Sequence, residues 1–233
     1  MSPRAGVVSG AEPALSPAAR ATSGGLRRFV APAGGDRPAP APDPAHRCEL
    51  CSAEVPDQHA HVVDLDNRGL LCTCRACWLL FVSDGAAGRR YRAVPERILR
   101  AEDLGLAAGE WEALQVPVDL AFFLHSSGTD QVAGFYPSPA GATECLLDLA
   151  AWQLLAEGHP MLAEAQPDVE AVLLHRSGDA VECFIVPVDI CYELVGRLRL
   201  LWQGFDGGEE MRTGLAAFFS TLRERSRPWT AVS

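Results

Sequence analysis

Cys48, Cys51, Cys72, Cys74 and Cys77 fall in one short stretch, as C-x2-C, a spacer of twenty residues, then C-x-C-x2-C. A C-x2-C corner lets two thiolates point at one ion from a tight turn, and two such corners complete a tetrahedral shell. Taking Cys48, Cys51, Cys74 and Cys77 as ligands gives C-x2-C-x22-C-x2-C, the zinc-ribbon arrangement, with a hairpin between the corners. Such a site is structural and closed, with Zn–S bonds of about 2.3 Å. Iron is the alternative, because four thiolates in a tetrahedron also suit a single Fe or a cluster. Ser52 and Trp78 stand where mononuclear iron knuckles often carry Gly, which favours zinc. Cys72 is the surplus sulfur. It is an alternative ligand, replacing Cys74 through a wider corner with Cys77, or a free thiol beside the ion. His46, His59 and His61 are close enough in sequence to substitute for one thiolate each.

The elements that must position these residues follow from periodicity. His61 to Leu65 reads as a strand, Asp66-Asn67-Arg68-Gly69 as a turn in which Asn and Gly supply positive φ, and Leu70 to Thr73 as the returning strand. Period-two alternation brings Cys72 and Cys74 to one face. Trp78 to Phe81 is expected to pack the module onto something larger, and Arg90 to Val94 to add a strand.

Beyond residue 94 the pattern is hairpin then helix, twice. Val118–Leu124 and Val132–Tyr136 flank His-Ser-Ser-Gly-Thr-Asp; Val169–His175 and Ala180–Val186 flank Arg-Ser-Gly-Asp. Helices are expected over Leu104–Leu114, Leu149–Glu157 and Asp189–Trp202, and in a final segment striped by Met211, Leu215, Phe218 and Leu222. The fold class is therefore α+β: an N-terminal zinc-ribbon-like module joined to an antiparallel sheet of about four strands, with helices packed on one face. Three regions result. Residues 1–46 form an Ala/Pro-rich segment expected to be disordered, its only apolar-basic island being Leu26 to Val30. Residues 47–94 form the Cys-rich module, and residues 95–233 an acidic α/β body.

Charge and composition exclude several functions. The 233-residue chain carries a net charge of -10, with seven Arg against twenty acids in residues 101–233. That field repels phosphate backbones, so no nucleic acid is expected as partner. There is no Lys, hence no Schiff-base or P-loop lysine. No run of apolar residues is long enough to span a membrane. The N-terminal stretch lacks the apolar core of a signal peptide, and Arg27-Arg28 is followed by a Pro-rich polar segment rather than an export signal. A cytoplasmic location is the default, which makes clustered cysteines metal ligands rather than disulfides. Cys145, Cys183 and Cys191 are isolated in apolar stretches and read as buried hydrophobes. His125, His159 and His175 are conceivable bases, but none has a nucleophile at an informative spacing, and no G-x-G-x-x-G, G-x-S-x-G or H-E-x-x-H occurs.

With these segments in view, the chain resembles an uncharacterised family of bacterial proteins, mostly actinobacterial, that are usually encoded beside nickel-iron hydrogenase genes. The resemblance is carried by Leu26–Phe29, Arg47–Cys51, Leu70–Phe81, Val116–Phe123, Phe135–Leu149 and Val186–Trp202. Where many members have Gly after the first corner, this chain has Ser52. The resemblance implies a protein partner, a hydrogenase subunit or maturation factor. The resulting expectation is a non-catalytic, metal-binding accessory protein. The alternatives are an iron-thiolate electron-transfer protein using the same cysteines, or an unrecognised small-molecule enzyme.

Overall fold

A computed structural model describes residues 46–83, 90–139, 141–145, 147–204 and 207–230. The expectation for residues 1–46, including the Leu26–Val30 island, lies outside them except for His46. In the module, the alternating run expected from His61 forms β1 (Ala60–Asp64), antiparallel to β2 (Gly69–Thr73). On its other edge β1 pairs with β3 (Tyr91–Ala93), giving a three-stranded sheet in the order β2-β1-β3. The turn between β1 and β2 is built on Asp64. Its carboxylate accepts from the backbone N–H groups of Asp66 (3.1 Å) and Asn67 (3.4 Å) and from Asn67 Nδ2 (2.9 Å). The positive φ falls on Arg68 (52°), not on Asn67 or Gly69 as expected from residue type. The Asn67 side chain is committed to Asp64, and the left-handed step shifts to the next residue.

A short helix, α1 (Arg75–Leu79), follows β2 directly. Trp78 is buried, and its indole N–H donates to the Val94 carbonyl at 2.8 Å. Leu79 and Leu80, expected to pack inward with it, are 57% and 65% exposed. Val63 and Val94 of the module cluster with Val169 and Val188 of the body. Arg92 reaches across to the Pro167 carbonyl at 2.9 Å.

The body is a seven-stranded sheet in the order β10-β4-β9-β8-β5-β6-β7. The two expected hairpins are its centre: β5 (Leu120–Ser126) with β6 (Gln131–Ser138), and β8 (Glu170–Ser177) with β9 (Ala180–Pro187). β5 and β8 run side by side and antiparallel, Phe122 opposite Leu173. Three short strands extend the edges: β4 (Leu99–Ala101), β7 (Gly141–Glu144) and β10 (Arg227–Pro228), the last parallel to β4.

Alternation along the central strands sorts their side chains onto two faces. Leu120, Phe122, Leu173, Phe184 and Val186 meet α4 (Val188–Leu201) and α5 (Gly208–Arg225). These are the striped helices expected, with Ile190, Cys191, Leu194 and Leu198 of α4 and Phe218, Phe219 and Leu222 of α5 buried. Ala121, Phe123, Val172, Leu174, Cys183 and Ile185 face the other way and are covered too. Their cover is α2 (Ala108–Ala113), α3 (Leu149–Gly158) and a 3-10 turn, Pro160–Glu164, through Trp111, Trp152, Leu155 and Met161. Each large side chain so buried contributes about 1.5–3 kcal/mol. The helix expected from Leu104 begins only at Ala108. Before it, Asp103 Oδ1 accepts from the N–H groups of Gly105 (3.0 Å) and Val181 (3.2 Å), and Gly105 has φ 71°. Those bonds hold residues 103–105 as a loop tied to β9.

Candidate metal centre

The two cysteine corners are positioned by different means. The first is a small loop closed by the Arg47–Glu54 bridge and by Val55, whose N–H donates to the His46 carbonyl at 2.9 Å. Within it Cys48 N–H donates to Ala53 O (2.8 Å) and Ser52 N–H to Cys48 O (2.7 Å). Ser52 closes the corner with φ 64°. The loop is fastened to β2 by two bonds. Glu49 N–H donates to Cys72 O at 2.8 Å, and Cys72 N–H donates to Glu49 Oε2 at 2.6 Å. The second corner is the start of α1. Cys74 is its N-cap, in extended conformation, and Cys77 N–H donates to Cys74 Sγ at 3.5 Å.

These anchors bring Cys48, Cys51, Cys74 and Cys77 together, with all four sulfurs within 4.8 Å of one another. Cys51 Sγ and Cys74 Sγ, from different corners, are 3.7 Å apart. Four sulfurs at about 2.3 Å from one ion, tetrahedrally placed, stand about 3.8 Å apart. None of the eight cysteines is in a disulfide. The quartet can hold a metal ion.

Crowding four sulfurs also redistributes their protons. Burial raises the Cys48 thiol, but backbone N–H groups of Cys74, Leu50 and Cys51, with the Cys51 thiol, outweigh it and bring Cys48 down to about 6. Burial, then the neighbouring thiols of Cys51, Cys74 and Cys48, pushes Cys77 up to about 12. One thiolate is thus favoured at the expense of the others, and a cation that binds all four must displace protons.

Cys72 is not part of this group. Its sulfur lies with His59 and His61 in a second group, one ligand atom from each lying within 4.8 Å of the others. Residue alternation alone would have kept Cys72 and Cys74 on one face. β2 ends at Thr73, however, and Cys74 turns away as the cap of α1. The turn expected over Asp66–Gly69 would pair Leu65 with Leu70 and set His61 opposite Cys74. The observed pairing of Asp64 with Gly69 instead sets His61 opposite Cys72.

Cys145, Cys183 and Cys191 are buried, as expected of small hydrophobes, and burial raises the thiols of all three. The three histidines considered as bases each face a carboxylate: His125 Nε2 to Asp130 at 3.0 Å, His159 Nε2 to Glu110 at 3.4 Å, and His175 Nδ1 to Glu182 at 3.5 Å. His175 also stacks on Phe219, ring centroids 4.0 Å apart. Among the described residues no helix is long and apolar enough to cross a membrane.

Fold and site together define an α+β protein with a zinc-ribbon-like cysteine cluster at the start of its described part. The chain belongs to a family of unknown function, DUF5947, whose model matches residues 47–226. That span opens one residue before Cys48 and closes one residue after α5. Comparison with curated proteins and with solved structures gives no match.

Proposed function

We propose that this is a non-catalytic accessory protein in which Cys48, Cys51, Cys74 and Cys77 hold a structural zinc ion and the module presents a docking face to a protein partner. The observation that carries the reading is the convergence of four sulfurs from two separately anchored corners, all within 4.8 Å of one another, with Cys51 and Cys74 at 3.7 Å, close to a tetrahedral edge. Zinc is supported by the residues after each corner. Ser52 and Trp78 stand there, and Trp78 is locked by burial and its bond to Val94. The docking face is supported by Leu50, Leu79, Leu80 and Val82, large apolar side chains left exposed beside the two corners. The resemblance to proteins encoded beside hydrogenase genes supports a nickel-iron hydrogenase subunit or maturation factor as the partner to try first.

Metal analysis of the purified chain tests the site. The Cys48→Ser/Cys77→Ser variant is expected to lose one equivalent of zinc relative to wild type; equal metal content in the two would overturn the ligand set. A second reading, iron in the same thiolates passing single electrons, is favoured by the exposure of Cys51, which brings one ligand residue to the surface. Colour separates the two: iron-thiolate protein absorbs visible light, and the zinc protein is colourless. For the partner, a hydrogenase subunit is expected to co-purify with wild type and not with Leu79→Asp/Leu80→Asp. Absence of any complex with folded wild type would retire that assignment.

A further inference from the structure

His59, His61 and Cys72 are set up differently from the thiolate quartet. His59 lies just before β1 and His61 within it, their rings side by side, and the register puts Cys72 directly opposite His61. Both imidazoles are held by their Nδ1 atoms. His59 Nδ1 lies 2.8 Å from the Pro56 carbonyl oxygen. A carbonyl only accepts, so Nδ1 carries the proton and Nε2 the lone pair. His61 Nδ1 lies 2.8 Å from Asp189 Oδ2, in the first turn of α4, which fixes the same tautomer. Each ring therefore keeps its Nε2 lone pair as the atom it can offer an ion.

His59 Nε2 is shielded from solvent and has no hydrogen-bond partner. A buried acceptor left without a donor is costly, of order 1–3 kcal/mol. Such a cost is explained where the lone pair is meant for a cation. The two rings stand with centroids 4.7 Å apart at 51°, and one ring nitrogen of each lies within 4.8 Å of the other and of Cys72 Sγ. Histidine ligands characteristically give their second nitrogen to a carboxylate or a backbone carbonyl, which orients the ring and raises its basicity. Both arrangements occur here side by side.

We infer that His59, His61 and Cys72 form a second metal site, distinct from the thiolate quartet, that takes a single transition-metal ion of the zinc, cobalt or copper class. Two imidazoles and one thiolate supply borderline-soft donors suited to those ions and unsuited to magnesium or calcium. Three protein ligands leave a fourth position open to water or another small ligand, unlike the closed quartet. Because Asp189 belongs to α4, the His61–Asp189 bond also ties β1 to the body.

Cobalt(II) is the probe. Wild-type protein carrying zinc in the quartet is titrated with Co²⁺ and followed by sulfur-to-cobalt charge-transfer absorption in the near ultraviolet. One further equivalent is expected to bind, with an intensity typical of one cobalt–thiolate bond rather than four. His59→Gln and Cys72→Ser should each abolish this second equivalent while leaving the zinc content unchanged. Asp189→Asn, which touches no ion, should weaken cobalt binding about 10–100-fold. Wild type that binds no second equivalent overturns the inference, whatever the variants do. So does a second equivalent that survives in His59→Gln/Cys72→Ser, or a Cys72→Ser protein that loses its zinc, since Cys72 would then belong to the quartet. Failure of the quartet itself reads out separately, as unchanged zinc in Cys48→Ser/Cys77→Ser.

Discussion

Ser52 holds φ at 64°, a region in which a Cβ crowds the neighbouring carbonyl, and it does so at the point where the first cysteine corner must close. Glycine there would meet no such strain, at the cost of a freer unfolded chain. Ser52→Gly is therefore expected to leave the metal-loaded protein as stable or more stable by up to about 1 kcal/mol. Ser52→Val, branched at Cβ, should cost about 1–2 kcal/mol. Thermal unfolding of the metal-loaded variants decides it, and a Val variant as stable as wild type would show that the corner does not depend on this conformation. The same residue scale explains what was legible at the site. Each C-x2-C corner is a local object, so the quartet follows from spacing alone. The partnership of Cys72 with His59 and His61 depends on the register of a hairpin and on where β2 stops. Neither is a property of a single short motif.

Among the elements, those with enough residues to show a period were legible: the two central hairpins, α3, α4 and α5 fall within a few residues of their expected spans. β4, β7 and β10 are three, four and two residues long, too short for alternation to declare itself, and they enlarge the sheet from four strands to seven. What fixes α5 against that sheet is partly ionic. Glu182 on β9 pairs with Arg223 of α5 (Nε to Oε1, 2.9 Å) and with Arg100 of β4 at 3.4 Å. The bond from Arg223, against the opposing effect of burial, holds the Glu182 carboxyl below its ordinary range. A depressed carboxylate contributes stability that is complete above its unfolded pKa and is lost as pH falls through the folded one. Glu182→Gln is thus expected to lower stability by about 1–2 kcal/mol at pH 7. The gap from wild type should narrow as the pH drops below about 4.5. Urea midpoints of both proteins at pH 7 and pH 4 measure this. A gap that is constant with pH would mean that shape rather than charge holds α5 in place.

At the scale of the molecule, the three-stranded and the seven-stranded sheet meet at an apolar junction of Val63, Val94, Val169 and Val188. The body has a layer of packed side chains on each face of its sheet. The module buries fewer: Val55, Val62, Val63, Trp78 and Val94, with Cys48. If the proposed structural zinc is bound, it would contribute about 10–16 kcal/mol of apparent binding energy, as much as such a core or more. Folding of the module is accordingly expected to depend on the ion, and folding of the body is not. The charge distribution sets a second expectation at this scale. With seven Arg against twenty acids in residues 101–233, the full chain should fail to retard duplex DNA even at about 50 mM salt, where phosphate contacts are strongest. The dependence on the ion is the sharper test, because it separates the two parts within one sample. After removal of metal by a chelator under reducing conditions, amides of β1, β2 and α1 should exchange with solvent hydrogen at close to unfolded rates. Amides of β8 and β9, buried beneath α4 and α5, should keep their protection. Restoring zinc should restore protection to the first group only. If β1 and β2 stay protected without metal, Val62, Val63 and Trp78 suffice to fold the module, and the quartet serves something other than architecture. If the body opens as well, the contacts of Val63 and Val94 with Val169 and Val188 join the two parts into one cooperative unit, and the ion stabilises all of it.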